Sequence, residues 1–110
     1  MEGKTAMPAD RMEALTEILA HNPSDSLARY GLAMEYIRTG KFEEAVAEFE
    51  TLLTATPDHA YAGFHAGQTL EKLGRLDDAR AMYRRGLEAA ARSGNSHARD
   101  ELQTALEQLG

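Results

Sequence analysis

Histidine is the side chain that titrates near neutral pH, and this chain has four: His21, His59, His65 and His97. An imidazole can hold a metal or move a proton, and both uses need partners that converge. No two of the four stand three or four residues apart, so no pair shares a helix face. No Ser/His/Asp set comes with a supporting loop, and a glycine-rich phosphate loop is missing. The chain has no cysteine, which excludes disulfides, thiol catalysis and cysteine-ligated zinc. Nothing here predicts an enzyme, a metal or a cofactor. Tyr30, Met34, Tyr61 and Phe64 fall on successive turns of two helices and make an aromatic and apolar strip.

Composition sets the class. The chain has 110 residues, the usual size for one domain, with 43% apolar and 27% charged residues. Helix formers dominate, while valine and isoleucine are scarce, which predicts an all-α fold. The net charge is −6 and the pI about 5.1, so phosphate-backbone binding, and with it a nucleic-acid partner, is not expected. No run of about 18 apolar residues exists to span a membrane. Residues 1–8 lack the apolar core of a signal peptide and read as a short disordered tail. A cytoplasmic protein is expected, since a chain without cysteine suits a reducing compartment.

Six helices must position the strip. The first runs from about Ala9 to His21, with Met12, Leu15, Ile18 and Leu19 as its stripe, and stops before Pro23. The second runs from about Asp25 to Thr39, capped by Ser24 or Asp25 and stopped by Gly40. Its apolar residues lie on two sides, so it packs on two sides. The third runs from about Phe42 to Ala55, with Ala45, Val46, Phe49, Leu52 and Leu53 inward. The fourth spans about Asp58 to Leu73 and the fifth about Leu76 to Arg92. Ser93-Gly94-Asn95 breaks the chain before a sixth helix from about Ser96 to Leu109.

The middle of the chain repeats itself. Gly40 and Gly74 are 74 − 40 = 34 residues apart, and the same step links Pro23 to Pro57, Ala45 to Ala79, Phe49 to Tyr83 and Leu53 to Leu87. Leu32-Ala33 falls on Ala66-Gly67 in the same register. Small residues at 33, 67, 45 and 79 suit two helices in close approach, and Phe49 and Tyr83 are expected to fill the space between hairpins. This pattern resembles the tetratricopeptide repeat (TPR) family, whose period is 34 residues. One repeat covers about 26–59, with Leu32-Ala33, Tyr36, Ala45, Phe49 and Pro57. A second covers about 60–93, with Ala66-Gly67, Leu70, Ala79, Tyr83 and Gly86. The family's helix-A tryptophan position holds Arg29 and Gly63, and Ala91 replaces the second closing proline. Residues 9–22 sit in the helix-B frame as a capping half-repeat. Residues 95–109 stand where a third helix A would, but Asp100-Glu101 falls where Leu-Gly belongs. They read as a capping helix with Arg99, Asp100, Glu101 and Glu107 facing water.

The resemblance implies a right-handed α-solenoid of antiparallel hairpins within a single domain over 9–110. It also implies a non-enzymatic scaffold that binds a protein or peptide in the concave groove of its A helices. In that frame the groove residues are Leu27, Tyr30, Met34, Ile37 and Arg38, then Tyr61, Phe64, Gln68, Glu71 and Lys72. Some TPR proteins grip the C-terminal carboxylate of chaperones with Lys, Asn and Arg. The corresponding places here carry Tyr30, Met34 and His65, so a partner with apolar side chains is implied instead. Self-association into a homodimer through the same strip is the alternative. On the other face, the third helix carries Glu43, Glu44, Glu48 and Glu50 and the fifth Arg80, Arg84 and Arg85, with Glu50 and Arg84 at corresponding places. A Glu50–Arg84 pair across it is expected.

Overall fold

The computed structural model describes residues 8–110 as six helices and no strand among them. They are α1 (Pro8–His21), α2 (Ser26–Arg38), α3 (Phe42–Ala55), α4 (Ala60–Lys72), α5 (Leu76–Ser93) and α6 (Ser96–Leu109). The expected tail over 1–8 lies outside the described residues except for Pro8, which opens α1. Each helix packs on the next in the chain, and α4 also touches α6. No helix among the described residues is long and apolar enough to cross a membrane.

Local chemistry sets the helix ends. Three helices begin with the same device: the side chain before the helix accepts the N–H three residues on, satisfying one orphan donor. Asp25 does this for Ala28 at 2.9 Å, His59 for Ala62 at 3.2 Å and Asn95 for Ala98 at 3.0 Å. Ser24 instead bonds to Asn22. Because His59 is a cap, α4 starts at Ala60 and not at Asp58. Helices α3 and α5 have no such cap but carry Glu43-Glu44 and Asp77-Asp78 in their first turns, where the dipole favours negative charge. Gly40 and Gly74 close α2 and α4 at φ +80° and +76°, a left-handed turn costly for any residue with a Cβ.

Small residues let the helices approach. Ala33, Ala45 and Ala79 are fully buried. The Gly63 and Gly86 backbones nearly touch: a Cβ on Gly63 would lie 2.7 Å from Gly86 Cα. Gly67 makes room for the Tyr83 ring, whose hydroxyl donates to Glu71. Tyr83 therefore fills its own hairpin, while Leu102 against Gly86 joins α5 to α6. Phe49 does bridge hairpins, meeting Tyr30 edge-on at 6.1 Å and His65 stacked at 6.2 Å. A second, smaller cluster of Leu19, Ala28 and Leu32, with Met12, Leu15 and Tyr36, ties α1 to α2.

Two surface expectations fail. Among the described residues Glu50 and Arg84 form no pair, since α4 lies between α3 and α5. The charge that crosses is Arg75, with Glu43 at 3.3 Å and Asp78 at 2.9 Å. Glu101 is half-buried and turned toward α4 rather than facing water.

Candidate functional site

The helices capped by Asp25, His59 and Asn95 present one side-chain face, and a cluster of rings occupies its middle. His65 is the hub. Its ring centroid lies 5.3 Å from Phe64, 5.8 Å from Tyr30, 6.2 Å from Phe49 and 6.5 Å from Tyr61. His59 stacks on Tyr30 at 5.1 Å with 23° between planes. Tyr61 meets Phe64 edge-on at 6.5 Å and reaches His97 of α6 at 6.3 Å. Offset and edge-to-face pairs of this kind contribute about 0.5–1.5 kcal/mol beyond area burial. Burial pushes both His59 and His65 below the usual imidazole range. A bond from Gln68 and the field of Glu101 oppose that shift at His65. Tyr30 is pushed upward, also by burial first. Burial therefore favours the neutral form of both imidazoles.

Openings flank it on two sides. On one side a groove of about 330 Å³ runs between α4 and α6, lined by Phe64, Gln68, His97, Asp100, Glu101 and Gln108. Gln68, Ala105 and Gln108 are shared with a second opening of about 480 Å³ that reaches Glu71, Lys72 and Tyr83. On the other side an apolar crevice of about 460 Å³ lies between α1 and α2, walled by Leu15, Ile18, Leu27, Tyr30 and Met34. Leu27 is 80% exposed, the least covered large apolar side chain among the described residues.

The structure thus brings together Tyr30, Tyr61, Phe64 and Gln68 around His65, with Lys72 further along the same groove. Leu27 and Met34 stand across the cluster at the crevice. Ile37 packs against the core, and Arg38 turns to Glu35 at 2.9 Å. Glu35 also receives Arg11 of α1 at 3.0 Å. Those two guanidiniums, Arg38 foremost, hold its buried carboxyl below the usual range. The sequence reasoning missed His59, His97, Asp100, Glu101 and Gln108. Their signal is a register of 95 − 59 = 36 residues between the caps of α4 and α6, which sets His97 on Tyr61, Asp100 on Phe64 and Glu101 on His65. Among the described residues no three metal-ligating side chains converge.

The comparisons agree with this geometry. The sequence model of the tetratricopeptide repeat matches residues 30–96. A TPR repeat-containing protein of Pseudomonas aeruginosa is 28% identical over 98 residues, 89% of this chain and 93% of its own. The crystal structure of a tetratricopeptide repeat domain protein from Salinibacter ruber is 35% identical, with a TM-score of 0.72, covering 77% of this chain and 96% of that one. The TPR2B domain of yeast Sti1, in its complex with pHsp70, has a TM-score of 0.85 at 16% identity over 93% of this chain and 82% of that one. That last likeness speaks to the fold alone. With the repeat register, the paired small residues and a matching family model over most of its length, this chain belongs to the tetratricopeptide repeat family.

Proposed function

We infer that this chain is a non-enzymatic interaction module that binds a protein or peptide segment in the concave groove of α2, α4 and α6. The observation that carries the reading is the half-buried ring cluster of Tyr30, His65, Tyr61 and Phe64, open on both flanks. Aromatic groups left partly in water on a concave face are usual anchors for a partner. With α1 packed on α2 and α6 on α5 alongside α4, these four rings remain half-buried. The yeast domain of the same fold is in a complex with pHsp70, which is in keeping with this use. In the same proposal residues 26–59 and 60–93 are the two repeats, α1 and α6 are caps, and the site of action is the cytoplasm.

Capture of partners by the tagged chain tests this. Tyr61→Ala or Phe64→Ala should cut capture by about thirtyfold, the loss of a hot spot worth about 2 kcal/mol. Circular dichroism must show both variants folded. Folded variants that capture normally would sink the reading. A second reading has one observation behind it: Leu27 at 80% and Ile18 at 43% exposure flank the apolar crevice. Self-association through that crevice would appear in light scattering as a dimer that Leu27→Glu disperses.

A further inference from the structure

The two flanks of the ring cluster differ in charge, and the difference specifies a partner. The α1–α2 crevice is walled by apolar side chains, with Arg11 and Asp25 cancelling. The α4–α6 groove and its continuation carry three carboxylates, Glu71, Asp100 and Glu101, against one ammonium, Lys72. Among the described residues, Asp100 alone of the three is paired with a permanent cation. Glu71 accepts from the uncharged Tyr83 hydroxyl. Glu101 lies 2.9 Å from His97 Nε2. Asp100 pairs with Arg99, its exposed chain neighbour, at 3.0 Å. Phe64 and Ala105 floor the same groove, and the Gln68 and Gln108 amides offer both donors and acceptors.

We propose that the α4–α6 groove selects a basic partner segment, seating a Lys or Arg side chain against Asp100 and Glu101 beside an apolar side chain on Phe64. This rests on the reading of the α2–α4–α6 face as the binding surface and adds its charge preference. The register supports it. Asp100 and Glu101 stand in α6 where Phe64 and His65 stand in α4, so cation site and ring lie side by side on neighbouring helices. The chain's net charge of −6 steers a basic segment toward it at low salt.

Two labelled synthetic helical peptides test the idea on the full chain, followed by fluorescence anisotropy. They share length and leucine pattern; one carries lysine on its polar face, the other glutamate. The lysine peptide should bind at least about tenfold tighter, and raising salt from about 50 to about 300 mM should weaken it. Asp100→Asn with Glu101→Gln should weaken it about three- to tenfold. Glu44→Gln with Glu50→Gln, on exposed α3 positions, should leave it within about twofold. Glu101→Gln alone serves if the double variant melts early. Equal binding of both peptides, lost together in Phe64→Ala, would overturn the charge preference while leaving the binding surface standing. Lysine-peptide binding that ignores Asp100 and Glu101, or falls equally in the α3 variant, would reduce the effect to net charge and overturn it too. So would binding of neither peptide, in which case the capture experiment judges the surface separately.

Discussion

The Nδ1 atom of His59 accepts the Ala62 N–H at 3.2 Å while its ring lies 5.1 Å from Tyr30. Asp25 and Asn95 do the capping half of this task with oxygen, which accepts at any ordinary pH. Imidazole accepts only when neutral, because both nitrogens donate once it is protonated. Burial lowers its folded-state pKa from the ordinary 6.5, and His65 shifts the same way. The sign follows from linkage. Below pH 6.5 the unfolded chain binds more protons than the folded one, so stability present above that pH is lost as pH falls through the lowered folded value. Tyr30, Tyr61, Gln68 and Glu101 face this pair, and Gln68 and then Glu101 resist by favouring the charged form of His65. The melting temperature should therefore drop on acidification from about pH 7 to about pH 5. His59→Asn keeps a cap and removes one titration, so it should lose less. A cap is worth about 1 kcal/mol, which corresponds to a difference of about 4–8 °C for a domain near this size. Parallel melting curves for wild type and variant would refute the role given to His59.

Helix against helix, Gly63 meets Gly86 backbone to backbone, where an added Cβ would lie 2.7 Å from the Gly86 Cα. Backbone cannot step aside as a flexible side chain can. Gly63→Ala should cost about 1–3 kcal/mol in chemical denaturation. Gly31→Ala is the control: its Cβ would meet only a Leu15 methyl at 3.4 Å, so the helix gains about 0.5–1 kcal/mol. Equal outcomes at the two sites would show that the α4–α5 approach is not this close. The same two helices mark what the sequence made legible. Spacings of 34 placed α2 to α5, because Gly stops and small residues at 33, 67, 45 and 79 answer to local geometry. The place of α6 as a third A helix was not legible at that spacing. Ala91 in place of a proline lets α5 run 18 residues where α3 runs 14, while the following gap is two residues, 94–95, instead of four, 56–59. Four added and two removed give the 36-residue step that carries Asp100 and Glu101 into the groove. His59 was hidden for another reason: histidine is not among the usual caps, and only the placed ring reveals an acceptor.

A stack of hairpins is held by nearest neighbours, so its ends need not be as firm as its middle. The two ends of this one are built differently. Helix α6 buries Ala98 and Leu102 completely within the main core, the latter against Gly86. Helix α1 contributes Leu19, at 8% exposure, to a cluster apart from that core, with Met12 and Leu15 only half covered. Among the described residues, its charged tie to a buried partner in α2 is Arg11 on Glu35, and Arg38 holds the same carboxylate without it. Regions with few buried apolar contacts open locally at low free energy. In native-state hydrogen exchange the amides of α1 should exchange first, well before those of α4 and α5, which meet at Gly63 and Gly86. Removing residues 95–110 should lower stability more than removing residues 1–24, because it strips Leu102 from the α5 surface. Amides of α1 protected as strongly as those of α4 would mean that the small cluster is part of the cooperative core. The expected order has a functional side. The crevice walled by Leu15, Ile18, Leu27 and Met34 lies between α1 and α2. A loosely held α1 could widen it for a partner's apolar side chains while the α4–α6 groove keeps its shape. Protection of α1 should then rise when a segment binds, and Leu27→Ala should abolish that rise before it abolishes binding.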